Sequence, residues 1–201
     1  MDTSGIFEAL RAKFGKSAVY GYEPPKSPLH DDFFFVAPKH LVAVARHLRD
    51  EPSLSFDFLE CLSGVDYPNA PVVVPEEGAG SEVGTIHTVY HLRSYTRQQR
   101  AVIKVSLPRS SPKVDSLCSV WSAAQWHERE TYDLLGVVFE GHPDLRRVLM
   151  PDDWVGHPLR KDYQQQDSYN GIPTSRPDPL ELVTLGRAAK SSTSSKGADH
   201  G

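Results

Sequence analysis

Apolar positions recur with helical spacing in three stretches of the chain and alternate with polar positions in several others. Between Ile6 and Phe14 they recur every three or four residues and stop at Gly15, which predicts a first helix. A second helix is predicted over residues 38–50, because its proline stands at the first helical position and its apolar residues share one side.

Shorter apolar runs predict a set of strands. Residues 17–22 and 33–37 have the pattern of strands, and residues 56–62 fit either a strand or a short helix. Residues 84–94 and 100–108 alternate well enough to predict an antiparallel pair joined by a polar connection.

The stretch before this pair lacks a regular pattern. Residues 69–82 mix prolines, glycines and acids around three valines, so a surface loop is predicted there. Single helices separate the strands without a regular strand–helix–strand repeat. The predicted fold class is therefore α+β, with one mixed or antiparallel sheet and flanking helices.

The clearest helix is predicted over residues 123–135, after a capping-box pair at Ser122 and Gln125 and before a stop at Gly136. On a helical wheel, the side predicted to pack on the sheet is mostly small or apolar: Ala123, Ala124, His127, Thr131, Leu134 and Leu135. The opposite side is polar: Gln125, Trp126, Glu128, Arg129, Tyr132 and Asp133, with Glu130 at its edge. A tryptophan among charges favours a protein-contact surface, because aromatic residues are enriched in interface cores.

Residues 141–163, called the ribbon below, contain four aspartates balanced by four arginines or lysines. Pro143, Pro151 and Pro158 exclude a long helix and favour extended turns. An extended segment cannot satisfy its own backbone hydrogen bonds, so if buried it must bond to other groups. Large protein interfaces use arginine and tryptophan. The sequence therefore favours a partner-binding arm.

Catalytic or metal-binding uses of the ribbon are the alternatives. His142 and His157 could ligate a metal with Asp144 or Asp153, but each histidine precedes a proline, and no tight spacing such as H-E-x-x-H is present. The G-x-S-x-G motif of a Ser-His-Asp hydrolase is absent. A carboxylate pair for acid–base chemistry stays open, although aspartates beside arginines are more often ion-paired.

Composition narrows the classes of function further. Hydrophobic residues are 39% of the 201 residues, which is low for a chain that lies wholly within a compact domain. A net charge of −4 without a basic stripe argues against nucleic-acid binding. Cys61 and Cys118 cannot supply the four thiolates of an iron–sulfur cluster, and they fit a reducing compartment. No apolar run is long enough to predict a membrane span.

The segment from Glu128 to Tyr163 closely resembles the thirty-kilodalton subunit family of respiratory complex I, known in bacteria as the C-type subunit of NADH-quinone oxidoreductase. The matching residues stand at fixed spacing: Glu128, Arg129, Glu130, Tyr132, Asp133, Gly136, Phe139, the run 142–147, Asp153, Trp154 and the run 156–163. The motifs at 64–68 and 90–92 also look like the N-terminal domain of this family. One departure is Gln164, where the family usually has a proline.

The resemblance implies a non-redox structural subunit of the peripheral arm of proton-translocating NADH:quinone oxidoreductase. FMN, iron–sulfur clusters, NADH and quinone would then be held by other subunits, with no catalytic, cofactor or metal residue in this chain. The implied partners are the forty-nine-kilodalton-type (D-like) quinone-module subunit, a nearby cluster-bearing (B-like) subunit and other complex I subunits. The implied location is peripheral, on the cytoplasmic side of the cell inner membrane. A bacterial source is expected because no transit segment precedes Ile6.

We expect three parts: an α+β domain at 1–136, an extended partner-binding arm at 137–188 and a disordered tail at 189–201. The residues expected at the partner interface lie on the polar side of the third helix and along the ribbon: Trp126, Glu128, Arg129, Glu130, Tyr132, Asp133, His142, Asp144, Arg146, Arg147, Asp153, Trp154, His157, Arg160, Lys161, Asp162 and Tyr163.

Two other functions remain as alternatives. One is the equivalent subunit of a related membrane-bound hydrogenase or plastoquinone-reducing complex. This chain does not identify the electron donor, because the donor binds on other subunits. The other is a small metal-dependent enzyme that uses His142, His157 and Asp153.

Overall fold

The computed structural model describes residues 2–27, 30–74 and 78–174, with the side chains of 71–74 and 78–83 outside the description. Among the described residues, the contacts divide the chain into a first unit that ends at Tyr163 and a second that begins at Gln164. The helices described in the first unit are α1 Thr3–Phe14, α2 Leu41–Asp50 and α3 Ala124–Leu135. Its strands are β1 Val19–Glu23, β2 Phe33–Val36, β3 Phe58–Val74, β4 Gly78–Ser94, β5 Gln99–Pro108, β6 Lys113–Asp115 and β7 Val138–Glu140.

The main sheet has five strands in the order β1-β2-β5-β4-β3. Only β2 and β5 pair in parallel among these neighbours, and the other pairs are antiparallel. The expected α+β class with a mixed sheet is confirmed. The predicted antiparallel pair is also confirmed, because β4 and β5 pair from Thr85 with Pro108 to Ser94 with Gln99. A short parallel ladder joins β6 and β7.

One continuous apolar core lies between the sheet and the three helices. Alternate residues of β4 and β5, such as Tyr90 and Ile103, belong to it, as the two-residue period of a strand requires. The predicted helices α1 and α2 contribute Leu10 and Leu48 to the same core. Helix α3 adds Leu135 and packs against β3, which places the helix end near an edge strand of the sheet.

Two local predictions are wrong. Residues 69–82 were predicted to be a loop, but the β3–β4 pairing continues past Pro71 to Val74 and Gly78. Register shifts flank Pro71, and such irregularities are where a strand tolerates proline. The predicted capping box is also wrong, because α3 begins after Ala123 without a side-chain cap.

The second unit is described only as far as Thr174. There β8 Ser168–Tyr169 and β9 Ile172–Pro173 form a hairpin around Asn170-Gly171, both with positive φ. This is the preferred sequence of a two-residue hairpin turn. Residues 175–188 of the predicted arm and the predicted disordered tail at 189–201 lie outside the described residues. The domain boundaries given above stay predictions.

The contact between α3 and β3 gives the first testable prediction. A Cβ atom on Gly64 would lie 2.2 Å from Leu135 Cδ1 and 3.1 Å from Thr131 Cγ2, both on buried residues. We expect Gly64→Ala to lower the free energy of unfolding by about 1–3 kcal/mol through overpacking. Urea unfolding of the full chain measures this. Ser63→Ala, at the exposed neighbouring position, is the control, and an equal effect of both changes would contradict the packing argument.

Candidate partner-binding site

The ribbon closes the C-terminal end of α3. Gly136 ends the helix in the left-handed conformation, with φ of 76°, and its N–H donates to the Tyr132 carbonyl at 2.8 Å. The next three carbonyls have no donor within the helix. They accept hydrogen bonds from His157 Nδ1 at 2.9 Å, the Leu159 N–H at 3.0 Å and Arg160 Nε at 2.7 Å. The helix end is therefore capped by residues more than twenty positions further along the chain.

Gly136 meets two requirements at this junction. Its positive φ is readily adopted only by residues without a Cβ atom. A Cβ here would also lie 2.6 Å from His157 Nε2 and 3.0 Å from Arg160 Nη2. The predicted helix stop at Gly136 is thus confirmed, and the same glycine lets the ribbon approach the helix end.

The carboxylate of Asp133 holds the middle of the ribbon and is fully buried. Its Oδ2 accepts from the backbone N–H groups of Val148, Leu149 and Met150 at 3.0, 2.7 and 2.9 Å. Its Oδ1 accepts from Arg147 Nη1 at 2.7 Å. One side chain of α3 therefore fixes three consecutive peptide groups and one guanidinium of the ribbon.

Arg147 extends this attachment to the next turn of the ribbon. Its Nη2 donates to the carbonyls of Trp154 at 3.0 Å and Gly156 at 3.1 Å. The Arg147 side chain is 15% exposed, whereas that of the adjacent Arg146 is 69% exposed and pairs with Asp144. Of two neighbouring arginines, one serves the fold and the other lies at the surface.

The electrostatics of the helix end follow from these contacts. Burial alone raises the pKa of Asp133, but the three backbone donors and Arg147 outweigh it and hold the pKa below its ordinary value of 3.8. Burial is also the main influence on His157, where with Arg160 and Arg147 it holds the pKa below 6.5. Asp133 therefore stays ionised, and a neutral His157 donates to its carbonyl.

The N-terminal half of α3 carries a second buried acid, Glu128. It accepts from Ser116 Oγ at 2.6 Å and from the Leu117 N–H at 2.7 Å. Burial raises its pKa above 4.5, partly offset by these hydrogen bonds. The helical wheel placed Glu128, Arg129 and Asp133 on the polar side of α3. All three are buried against the ribbon and the β6–α3 connection.

Arg129 lies beneath the first turn of the ribbon. Its guanidinium donates to the carbonyls of Arg146 at 3.3 Å and Arg147 at 3.5 Å and lies 3.7 Å from the Asp144 carboxylate. The same group stacks over the Trp126 ring at 4.9 Å, which holds this exposed indole in place. Arg129 and Asp133 are four residues apart on α3, yet Arg129 contacts the ribbon backbone and Asp133 pairs with Arg147.

Three residues around the start of α3 carry donor atoms of the kinds that bind metal ions. Cys118, Glu128 and His142 bring one ligand atom each within 4.8 Å of one another. Both ring nitrogens of His142 are engaged, because Nδ1 accepts from the Asp144 N–H and Nε2 faces the Gln125 carbonyl, each at 3.0 Å. Burial also raises the pKa of the Cys118 thiol. The group fits a hydrogen-bonded cluster rather than a set of metal ligands.

The metal trio proposed from the sequence does not assemble. His142 binds the Gln125 carbonyl in the first turn of α3, whereas His157 binds the Asp133 carbonyl in the last turn. Eight residues of helix separate those carbonyls by about 12 Å. His142, His157 and Asp153 therefore do not form a metal site in the described residues.

The end of the ribbon is attached to the sheet. The buried carboxylate of Asp66, on β3, accepts from Arg109 Nε at 2.7 Å and Nη2 at 2.9 Å, and from the Lys161 N–H at 2.7 Å. Arg109 also donates to Asp162 at 2.5 and 3.0 Å. The ribbon is thus fixed at its start, middle and end.

The side of the ribbon away from these attachments is open. Leu149 and Val155 are 60% and 66% exposed, with Val148 and Leu159 nearby in sequence and also exposed. The Trp154 indole donates to the Tyr163 hydroxyl at 3.0 Å, so its plane is fixed within the ribbon. Trp126 on α3 is likewise exposed at 62%. The ribbon therefore presents apolar side chains on a backbone that is held from behind.

The predicted interface residues fall into three groups by burial. The exposed ones are Trp126, Glu130, Arg146, Asp153, Lys161 and Asp162. The half-buried ones are Tyr132, His142, Asp144, Arg147, Trp154, His157, Arg160 and Tyr163. The buried ones are Glu128, Arg129 and Asp133. Contact of any of them with a partner stays a prediction.

Several residues that build the site were missed from the sequence. Asp66 and Arg109 anchor the ribbon end, and Ser116 binds Glu128. Only Asp66 had a signal, since it lies in the motif at 64–68 noted above. Leu149 and Val155 were also missed, because single apolar residues among charges carry no periodic signal.

Known proteins support a family assignment. The family profile described as "Respiratory-chain NADH dehydrogenase, 30 Kd subunit" matches residues 34–169. The chain is 43% identical over 162 residues to a protein of Roseiflexus sp. (strain RS-1) named as the C-type subunit of NADH-quinone oxidoreductase, covering 81% of this chain and 84% of that protein. A protein of the same name from Chlorobium phaeobacteroides is 46% identical over 167 residues, covering 83% and 91%.

Other relatives are longer than this chain. The Streptomyces coelicolor protein of the same name is 48% identical over 130 residues, which cover 65% of this chain but 47% of that protein. The chain is also similar to a solved structure, "Nqo5 of the trypsin-resistant fragment (1-134)", at 27% identity and a TM-score of 0.51, covering 72% of this chain and 100% of that one.

A second solved structure shares the fold at lower identity. It is a chain of a membrane-bound sulfane sulfur reductase, an archaeal respiratory membrane complex, with a TM-score of 0.60 and 20% identity. The match covers 88% of this chain and 96% of that chain.

The Asp133 attachment predicts a specific dependence of stability on pH. Asp133→Asn should lower the free energy of unfolding by about 3 kcal/mol at pH 7, because it leaves Arg147 unpaired in a buried site. The pKa of Asp133 is lower in the folded state than its ordinary value of 3.8. The carboxylate therefore contributes fully to the free energy of unfolding above pH 3.8, and this contribution is lost as the pH falls through the folded-state pKa. Urea midpoints from pH 7 to pH 2 measure the difference between the two proteins. Asp152→Asn, at an exposed ribbon position, is the control, and a difference that persists unchanged at pH 2 would contradict this assignment.

The adjacent arginines give a second, matched comparison. Arg147→Ala should cost about 3 kcal/mol of stability, because it removes one partner of a buried pair. Arg146→Ala should change stability by less than about 0.5 kcal/mol, as surface substitutions usually do. Thermal and urea unfolding of the full chain test both. Equal effects of the two changes would show that Arg147 does not hold the ribbon.

Proposed function

Because the chain belongs to the family of the thirty-kilodalton subunit of respiratory-chain NADH dehydrogenase, we propose that it is a non-redox structural subunit of the peripheral arm of NADH:quinone oxidoreductase. In this role the chain holds neighbouring subunits in register and leaves electron transfer to them. The observation that carries the proposal is the two-sided construction of the ribbon. Its inner side is bound to α3 and the sheet, and its outer side exposes apolar residues.

The exposed side has the anatomy of a protein interface. Leu149 and Val155 are exposed apolar residues of the ribbon, and Arg146, Asp153 and Lys161 are exposed charged residues of the same segment. An apolar centre with a polar rim is the usual arrangement in specific interfaces. Because the backbone beneath is already fixed, little conformational entropy is lost when a partner binds.

The proposed partner on this surface is the forty-nine-kilodalton-type (D-like) subunit of the quinone module. A cluster-bearing (B-like) subunit and other complex I subunits are placed nearby in the proposal. The support is the family membership together with the resemblance of residues 128–163, which are the residues that build and present the ribbon.

The proposal assigns flavin, iron–sulfur clusters, NADH and quinone to other subunits. The chemistry of this chain supports that division. Cys61 and Cys118 are two separate thiols, whereas a cluster normally takes four. The donor atoms of Cys118, Glu128 and His142 already face hydrogen-bond partners within the chain.

A structural role can still affect the rate of the complex. A displacement of about 1 Å near a reacting centre can lower a rate by roughly a hundredfold. The rigid attachment of the ribbon at three points supports such positioning, because a partner bound to it would inherit a fixed orientation. The role of this chain is then to limit motion of the quinone module relative to its neighbours.

The proposed location is the peripheral arm of the complex, at the cytoplasmic side of the bacterial inner membrane. In the described residues no helix combines the length and apolarity of a membrane span. Association with the membrane would therefore pass through the partner subunits in this proposal.

Substitutions on the open side of the ribbon test the proposed function. In a strain that carries tagged full-length chain, Leu149→Asp with Val155→Asp should reduce the recovery of co-purifying subunits and NADH:quinone reductase activity by about tenfold or more, since charges in an interface centre are costly. The unfolding free energy of the isolated variant should change by less than about 0.5 kcal/mol.

The control for this test is Tyr95→Asp, an exposed aromatic position in the β4–β5 turn. Normal recovery of the complex with the ribbon variant would contradict the proposed function.

Purification of the unmodified tagged chain also identifies the electron donor of the complex. Co-purification of NADH-oxidising subunits would support the proposal, and co-purification of a hydrogenase subunit in their place would assign the chain to the related complex.

A further inference from the structure

A second open feature lies beside the ribbon, between β3 and α3. It is a groove whose apolar lining, called its floor below, comes from Leu62, Leu134, Leu135 and Leu159 of the ribbon. Cys61, Ser63 and Gly64 of β3 form one wall, and His127, Glu130 and Thr131 of α3 form the other. The walls are thus one strand and one helix running past each other.

The strand wall is the edge of the main sheet. β3 pairs with β4 on one side only, as the last strand of the five. Alternate residues of an edge strand direct their N–H and C=O groups away from the sheet. Within the described residues, no backbone hydrogen bond links the outer edge of residues 59–65 to another element. An edge with free backbone groups is a template for another strand.

The edge is accessible only over a limited length. Further along β3, Asp66 is covered by Arg109 and the Lys161 N–H. Before it, the strand begins at Phe58. The free edge of β3 therefore spans about the length of a short strand. Residues 61–64 of this edge line the groove.

The rim of the groove carries one negative charge. Glu130 is exposed and has no ion pair among the described residues, and its charge contributes to raising the pKa of the Cys61 thiol after the larger effect of burial. The groove thus combines free backbone groups, an apolar floor and an acid. These features together suit an extended segment with an aliphatic side chain and a basic side chain.

We propose that another subunit of the complex adds an extended segment to the free edge of β3, with an aliphatic side chain over Leu62 and Leu134 and a lysine or arginine beside Glu130. Main-chain hydrogen bonds supply affinity in this mode of recognition, and the alternate side chains supply specificity. The inference rests on the proposed function, since it requires a second polypeptide of the complex. Leu159 belongs to both the ribbon and the groove, so the two surfaces are continuous.

Site-specific photo-crosslinking in the assembled complex tests this proposal. A benzophenone amino acid replaces Ser63 on the exposed edge of β3, and separate chains carry it at Val155 on the ribbon or at Glu140 on β7 as a background control. The proposal predicts that the Ser63 probe forms crosslinks to one contiguous segment of another subunit. That segment should carry a lysine or arginine and alternate apolar residues.

Each other outcome overturns the proposal in a distinguishable way. Crosslinks to a partner from Val155 but not from Ser63 would contradict the proposed partner segment in the groove and would remain consistent with the proposed function. Absence of partner crosslinks from both probes would overturn both. Crosslinks from Ser63 at helical spacing, or to a second copy of this chain, would show that the occupant is not an added strand from another subunit.

A charge reversal tests the side-chain part of the proposal. Glu130→Lys should lower the recovery of the chain in the complex by about tenfold at low salt, because a like charge would then face the basic residue. Glu130→Asp should restore most of the recovery, and Glu140→Lys, an equal charge change at an exposed site, should have little effect. Full recovery with Glu130→Lys would contradict the predicted basic residue.

Discussion

The end of helix α3 depends on a single buried carboxylate. Asp133 accepts three consecutive backbone N–H groups and one guanidinium from the ribbon, while the carbonyls of the last helical turn accept three more donors from it. The helix end and the ribbon provide hydrogen-bond partners for each other, because neither could pair all of its own backbone N–H and C=O groups when buried. A segment without regular secondary structure is thereby attached through its own backbone to the helix that precedes it.

This arrangement explains how so polar a segment can serve recognition rather than chemistry. Several charged groups of the ribbon are used within the chain, since Arg147 pairs with Asp133, Arg160 donates to the Leu135 carbonyl and Asp162 binds Arg109. The same fixed backbone exposes apolar side chains, among them Leu149 and Val155. In this member of the thirty-kilodalton subunit family of respiratory-chain NADH dehydrogenase, the polar residues of the ribbon thus shape a surface. The proposed role of that surface is the assembly of the complex.

The sequence predicted the parts of the fold that obey local rules. Helices α1 and α2 and the β4–β5 pair follow their periodicity, and the prolines of the ribbon excluded a helix there. The helical wheel assigned a polar side to α3 but could not show that Asp133 is buried, because a polar residue can face water or a buried polar partner, and Asp133 bonds to residues about fifteen positions away. The strands around Pro71 failed because pairing with β4 overrides local loop signals. Asp66 lies in a motif noted from the sequence, but its role as an anchor could not be predicted, since its partner Lys161 is 95 residues distant.

Hydrogen exchange of the ribbon tests the central claim most directly. Exchange of residues 141–163 is compared by mass spectrometry between the isolated full chain and the assembled complex. If the ribbon is held by α3, the amides of Val148, Leu149 and Met150 exchange slowly in both states, because they donate to Asp133 within the chain. Fast exchange of these amides in the isolated chain, with protection only in the complex, would show that the partner and not Asp133 orders the ribbon.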